Sequence, residues 1–457
     1  MLKKIITICI LPLMLMSMGI GCKGLSDEQI RAVRPVTINY WTVYNNVSQL
    51  RRFAAEYKAR YPHVTVNIRQ VRYSEFGELF VNALADDVAP DIISVHNRQV
   101  RQYAPRLSTM PAQVQVARMT IEGKYAKEQV VTFETHALPS VNTLKSSFVG
   151  AVAEDVIINN EIYGIPLAVD TLALYYNKDL LDRAGIAVPP TTWDEFMEAV
   201  IQTTKKDSDG AVLQSGVALG TADNIDNATD ILALLMLQNG VNVTQPGYVT
   251  FAGNINKLRD THPTLQSLRF FTDFSKQSKE VYTWNNTFDT ALEAFTNQQS
   301  VFYFGFAYDK TRIKARAPQM NVSIVPIPQL RDGNPVNVAS YWVESVVDKS
   351  KNKDTAWDFI RFISTPNNIK AYTEATDLPS PVRSHLSEQA EDPLMAPFIS
   401  QILTATNWYY GRDIDTADTA LREMIETYRT PYPSDIDQTK RDAELINSAA
   451  ARIYRTL

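Results

Sequence analysis

The run YGIPLAVDTLALYYNKDLL, Tyr163 to Leu181, is apolar enough to be a buried strand, yet it carries a carboxylate, Asp170, in its middle. An unpaired buried carboxylate is costly, so Asp170 must have partners. They are groups of a bound ligand, or else nearby backbone amides or an arginine. A second concentration of chemistry is the loop NWYYGRD, Asn407 to Asp413. Its Trp408 and Tyr409 are flanked by Asn407 and by Gly411-Arg412-Asp413, which makes core packing a poor account of them. Trp41 and Tyr44 close one β-rich segment, and His96, Asn97 and Arg98 close another. Flat aromatic faces cover the C–H face of a sugar ring, and planar polar groups make paired hydrogen bonds to neighbouring hydroxyls. An acidic, aromatic-lined site would instead suit a polyamine, through cation–π attraction. Trp41 reads equally well as core, and Trp193, Trp284 and Trp357 read better as core than as platforms.

Other chemistries find no support. The five histidines are scattered, with no HExxH spacing, and there is no nucleophile elbow or phosphate-binding glycine loop. Tyr175 and Tyr176 are neighbours on a strand and point to opposite faces, so they do not form a metal-binding pair. The reading is therefore a binding protein, not an enzyme, with no cofactor and no metal. A secreted glycoside hydrolase, whose carboxylate pair spacing alone cannot reveal, is the rival from another class. The net charge of −5 argues against a nucleic-acid partner.

The elements that must position these residues follow from periodicity. Val36–Trp41 alternates, Leu50, Phe53, Ala54 and Tyr57 recur at helical spacing, and Val64–Ile68 alternates again. Phe76, Leu79, Phe80 and Ala83 form a second helical stripe before the short apolar strand Pro90–Val95. Strand and helix in alternation predict a parallel α/β sheet covered on both faces. Ligands bind outside the carboxyl ends of such strands, which here are Trp41–Asn46 and His96–Arg98. Residues 99–155 read as mostly helical. Val156–Pro166 reads as a hairpin turning at Asn159-Asn160-Glu161, and Thr192-Trp193-Asp194-Glu195 as a capping box. A second α/β unit runs from about 170 to 326. After it come the strand Tyr341–Val347, the helix Thr355–Ile363 and a helical C-terminal region. With 457 residues and 45% apolar content, two cores are expected.

The first residues are a separate object. Lys3 and Lys4 precede the apolar stretch Ile5–Ile20, and small residues lead to Cys22. This reads as a secretory signal over residues 1–21. It resembles a bacterial lipoprotein signal, in which Cys22 is acylated, although Gly19 stands where leucine is usual. Residues 22–35 would be a polar tether. The body would then be extracytoplasmic, lipid-anchored to the outer face of the cytoplasmic membrane.

IYGIPLAVDTLALYYNKDLL, together with YPHVTVNI, APDIIS, AGIAVPPTTWDEF, SVFYFGFAYD, VSIVPIPQLRDG, DTAWDFIRFIS and EATDLPSPVRSHL, resembles the family 1 extracellular solute-binding proteins of ABC transporters, the group of the maltose-binding protein. The resemblance implies a periplasmic-binding-protein-like α/β fold. Two lobes would be joined by three crossing segments around a central cleft, with lobe 1 over 36–168 and 327–379 and lobe 2 over 169–326 and 380–457. It implies a monomer that captures a small solute, most readily a sugar or oligosaccharide, by lobe closure and delivers it to ABC permease subunits in the membrane. A polyamine, a polyol phosphate or a metal is the alternative cargo. It also puts Trp41, Tyr44, His96, Asn97, Asp170, Phe306, Tyr308, Trp342, Trp408 and Tyr409 at the ligand.

Overall fold

In the computed structural model, residues 25–123, 127–331, 333–433 and 437–457 are described. The stretch read as a signal segment, and Cys22, lie outside them. The first unit begins as the periodicity predicts. Val36–Thr42 pairs in parallel with Val64–Gln70 and with Ile92–His96. The helix Val47–Arg60 buries Leu50, Phe53, Ala54 and Tyr57, the expected stripe. Two later segments complete this five-stranded sheet, Trp342–Val346 and Ile165–Pro166, both antiparallel to their neighbours.

The second unit is another five-stranded sheet, ordered Lys205–Lys206, Val212–Val217, Ser300–Gly305, Ala173–Asn177, Val322–Pro326. Ala173–Asn177 runs antiparallel to both neighbours, whereas Val212–Val217 and Ser300–Gly305 are parallel. Chain order shows how the units are joined. Ile165–Pro166 belongs to the first sheet and Ala173–Asn177 to the second. Val322–Pro326 belongs to the second and Trp342–Val346 to the first. Between them lies a small third sheet, Ala405–Thr406, Asn337–Ser340 and Asp170–Thr171, built from the connecting segments themselves. A further connection runs from the helix Pro366–Thr376, packed with the first unit, to Ala396–Ile399, packed on Val322–Pro326. The last two long helices, Ile414–Arg429 and Gln438–Tyr454, pack on each other and cover the second unit.

Local signals hold at several points. Thr192 and Glu195 make the reciprocal bonds of a capping box at the helix Trp193–Thr203. The hairpin Ile157–Ile158/Glu161–Ile162 turns on Asn159 and Asn160, both at positive φ, as a tight two-residue turn requires. One expectation fails. Residues 99–155 are not mostly helical, because Gln113–Glu122 and Glu128–Ala137 form a ten-rung antiparallel hairpin. The cause is visible in QVQVARMTIE. Val114 and Val116 alternate with polar neighbours and turn inward, and the hairpin packs on the helix Lys353–Ile363. Within residues 22–35, Asp27–Ala32 forms a helix capped by Ser26, and Gln29 Nε2 donates to the Val131 carbonyl of this hairpin at 3.0 Å.

Candidate functional site

Asp170 sits in the first connecting strand and is buried. Its Oδ1 accepts from the amides of Thr171 and Ala307, both at 2.8 Å, and its Oδ2 from the Tyr308 amide at 3.1 Å. Ala307 and Tyr308 precede the helix Asp309–Arg316, so their amides are among the unpaired donors at a helix start. Asp309, fully buried, takes the Phe306 amide and the Tyr303 hydroxyl. Two carboxylates therefore hold the turn Phe306–Tyr308. Gly305 enters it without a side chain, because a Cβ there would lie 2.9 Å from Asp309 Oδ2. The rings of Phe306 and Tyr308 stack with centroids 5.7 Å apart; Phe306 is buried and Tyr308 is 42% exposed. The charge in the apolar run thus organises an aromatic turn of the other segment.

The second group joins the two units directly. Arg98, after Ile92–His96, donates to Asp230 Oδ1 at 2.5 Å. Asp230 lies in the first turn of Ala228–Gln238, in the second unit. The same oxygen accepts the Trp408 indole N–H at 2.7 Å, and the Arg98 guanidinium lies over the Trp408 ring at 4.8 Å. A planar cation, a carboxylate and an aromatic face converge at one point.

A third group belongs to the first unit. Tyr44, 68% exposed, stacks on Tyr73 at 6.4 Å and meets Trp342 edge-on at 5.4 Å. His96 also meets Trp342, at 5.4 Å, and its Nε2 bonds the Ser340 hydroxyl at 3.1 Å. Burial, with Arg98 nearby, holds the His96 imidazole well below its ordinary pKa, so it is neutral. The Tyr73 hydroxyl donates to Asp415 of the second unit at 3.3 Å. Beneath this shelf Glu344, fully buried, accepts from Ser94 Oγ at 2.6 Å, Asn45 Nδ2 at 2.5 Å and the Tyr40 hydroxyl. Asn45 thereby fixes the loop that carries Tyr44.

The sequence-based candidates therefore separate. Arg98, Trp408, Tyr44, His96 and Trp342 occupy these groups, and Asp170 holds the turn of Phe306 and Tyr308. Asn97 is buried against Asp155. Trp41 is buried in the first sheet, with Arg69 over its ring at 4.9 Å. Tyr409 is fully buried and donates to Thr456 Oγ1. Sequence reasoning passed over Asp230, Tyr73 and Asp155. Asp230 carried a signal of the same kind as Asp170, a carboxylate in the apolar helix ATDILALLMLQ. Among the described residues, no group of three or more His, Asp, Glu or Cys gathers to hold a metal.

Burial raises three of these carboxyls above their ordinary range, Asp155 to about 6, and Asp170 and Glu344 to about 7, against opposing hydrogen bonds. Each binds its proton more tightly in the folded protein than in the unfolded chain. Their contribution to stability is therefore full below about pH 4 and is lost as pH rises through 6 to 7. A tenfold change in proton affinity is worth about 1.4 kcal/mol, so together they amount to several kcal/mol. These three carboxyls by themselves would lower the melting temperature by several degrees between about pH 5 and about pH 8, while His63, His96 and His385, held below their ordinary pKa by burial, oppose that fall up to about pH 6.5. Calorimetry across that range checks it, and a melting temperature that rises from about pH 6.5 to about pH 8 would contradict it.

Comparison with known proteins fits this architecture. Residues 52–397 match the family model described as bacterial extracellular solute-binding protein. The chain belongs to that family. It is 23% identical over 319 residues to the multiple sugar-binding protein of Streptococcus mutans, covering 65% of this chain and 72% of the relative. It is 27% identical over 238 residues to the melibiose/raffinose/stachyose-binding protein of Bacillus subtilis, covering 49% of this chain and 51% of the relative. The crystal structure of the cyclic α-maltosyl-1,6-maltose binding protein of Arthrobacter globiformis superposes with a TM-score of 0.69 at 16% identity, over 92% of this chain and 99% of that one. The expected two-lobed solute-binding fold is therefore the observed one, and the two units are its lobes.

Proposed function

We propose that this solute-binding protein captures a sugar or oligosaccharide between its lobes and delivers it to an ABC permease. The observation that carries the reading is the convergence of Arg98 from one lobe with Asp230 and Trp408 from the other. A guanidinium and a carboxylate supply paired donors and acceptors for neighbouring hydroxyls, and the indole supplies a face for the ring. The relatives named as sugar-binding proteins support the same cargo. In the open form the lobes part at this cluster and the sugar enters, and on closure Arg98, Asp230 and Trp408 come together around it. Contacts to both lobes then favour closure by population shift. Tyr44, Tyr73 and Trp342 offer further aromatic surface for additional sugar units. Asp170 serves the site by holding the turn that presents Tyr308.

The lobes are assigned to 36–168 with 327–379 and to 169–326 with 380–457. The protein acts as a monomer without enzymatic activity, tethered by an acylated Cys22 to the outer face of the cytoplasmic membrane. A thermal-shift screen over maltotriose, raffinose, stachyose and spermidine tests the cargo, because a ligand bound only by the folded state raises its melting temperature. Sugars are expected to raise it, and Asp230→Asn to remove the rise. A rise with spermidine alone would overturn the reading.

A further inference from the structure

Asp155 lies in the helix Gly150–Val156 of the first lobe and is 2% exposed. Its two oxygens face different lobes. Oδ2 accepts from Asn97 Nδ2 at 2.9 Å and from the Tyr341 hydroxyl at 2.5 Å, both on the first-lobe side. Oδ1 accepts from Asn407 Nδ2 at 2.9 Å, in the loop that follows Ala405–Thr406 of the connecting sheet. All three donors are neutral and themselves buried. Asn97 immediately precedes Arg98, and Asn407 immediately precedes Trp408. The two asparagines held by one carboxylate are thus each followed by a member of the stacked pair. Asn407 also uses its Oδ1 to accept the Tyr409 amide at 3.0 Å, so the tie extends into the loop backbone.

We propose that Asp155 is a positioning residue of the cleft: by clamping Asn97 with one oxygen and Asn407 with the other, it sets Arg98 against Trp408 across the lobes. Its relevance to capture rests on the assignment of Arg98 and Trp408 to the ligand. Three donors point at it, and an ionised carboxylate accepts them all. A proton on Oδ2 can still be donated to the Tyr341 oxygen, whose own hydrogen then turns to the Ala151 carbonyl at 3.1 Å, so the tie survives protonation. Every charged or titratable group around it bears on that ionisation. Glu154, on the same helix, repels the charge and holds Thr406 Oγ1 and the Tyr410 hydroxyl at 3.3 and 3.5 Å. Arg101, over the Tyr410 ring at 5.5 Å, attracts it. The phenols of Tyr341, in the crossing segment, and Tyr410, in the loop, stay protonated. Burial nonetheless lifts the Asp155 carboxyl to about 6.

The test is amide hydrogen exchange at Tyr409 and Tyr410, with raffinose and maltotriose affinity measured in parallel. Asp155→Asn turns an N–H toward one donor. It is expected to speed exchange at both amides by about tenfold or more, and to weaken sugar binding similarly. The reciprocal variant Asp155→Asn with Asn407→Asp restores one donor and one acceptor across the lobes, and should recover slow exchange and binding. Unchanged exchange in Asp155→Asn would overturn the proposal. So would acceleration that the reciprocal variant fails to reverse, which marks a general fold defect. If neither sugar binds the wild type, the sugar reading is what fails, and exchange alone decides the role of Asp155.

Discussion

Trp408→Ala is expected to weaken sugar binding by about 100-fold or more, the largest functional effect of any single change in the cleft. Three losses combine. The ring face, which meets Arg98 and carries the N–H that reaches Asp230, disappears; a stacked aromatic contributes about 0.5–1.5 kcal/mol beyond its buried area. The indole N–H no longer donates to Asp230, which leaves that carboxylate with Arg98 alone in a site 8% exposed. The loop also loses a fully packed anchor, so part of the binding energy goes into ordering it. Because Trp408 is 1% exposed, the alanine variant also loses roughly 3–5 kcal/mol of stability. Affinity must therefore be read by calorimetry at a temperature where the variant is still folded. Trp408→Phe separates the effects. It keeps a ring and most of the packing but lacks the N–H, and its affinity should fall between the two. Wild-type affinity in Trp408→Ala would remove this residue from the binding site.

What could be read from the sequence was whatever depends on near neighbours. The stripe Leu50, Phe53, Ala54, Tyr57 gave its helix, and Thr192 with Glu195 gave a capping box, because both are settled within one or two turns of chain. The hairpin Gln113–Ala137 was equally local, and its alternation was outweighed by the weak punctuation around it. Asp170 shows the limit. Its burial and its need for partners were legible, but the identity of the partners was not. The amides of Ala307 and Tyr308 lie 137 and 138 residues further on, and only the fold brings them to it. Trp41 and Trp408 make the same point in opposite directions. Trp41 lies near the end of one strand and Trp408 just after another, and both were candidates, yet one packs beneath Arg69 in the sheet and the other meets Arg98 across the lobes. Asp230 was overlooked because an acidic residue in a first helical turn is ordinary on dipole grounds. Its role is set by Arg98, 132 residues earlier.

The largest stability loss from a single polar side chain is expected at Asp358, far from any of the groups above in chemical role. Asp358 is fully buried on the helix Lys353–Ile363. Its Oδ2 accepts the Tyr57 hydroxyl at 2.8 Å, and its Oδ1 accepts Arg361 Nε at 2.8 Å and lies 2.7 Å from His136 Nδ1. These partners come from the helix Val47–Arg60, from its own helix and from the hairpin strand Glu128–Ala137, so one carboxylate joins three elements. Glu134 extends the network on the hairpin, accepting from Tyr61 at 2.8 Å and from Arg118 at 3.0 Å. Asp358→Ala leaves a guanidinium, an imidazole and a phenol facing one another without their acceptor. Removing one partner of a buried ionic group typically costs about 3–5 kcal/mol, because the remaining charge is stranded. Asp358→Asn keeps the shape and one acceptor oxygen and should cost roughly half as much. Urea denaturation measures the loss. Hydrogen exchange should locate it in residues 113–122 and 128–137, which this network fastens to the lobe, while the amides of Ala307 and Tyr308 keep their protection. A loss below about 1 kcal/mol would mean that water replaces the carboxylate, and that the hairpin is held by its apolar face, Val114, Val116 and Val131, together with Glu134.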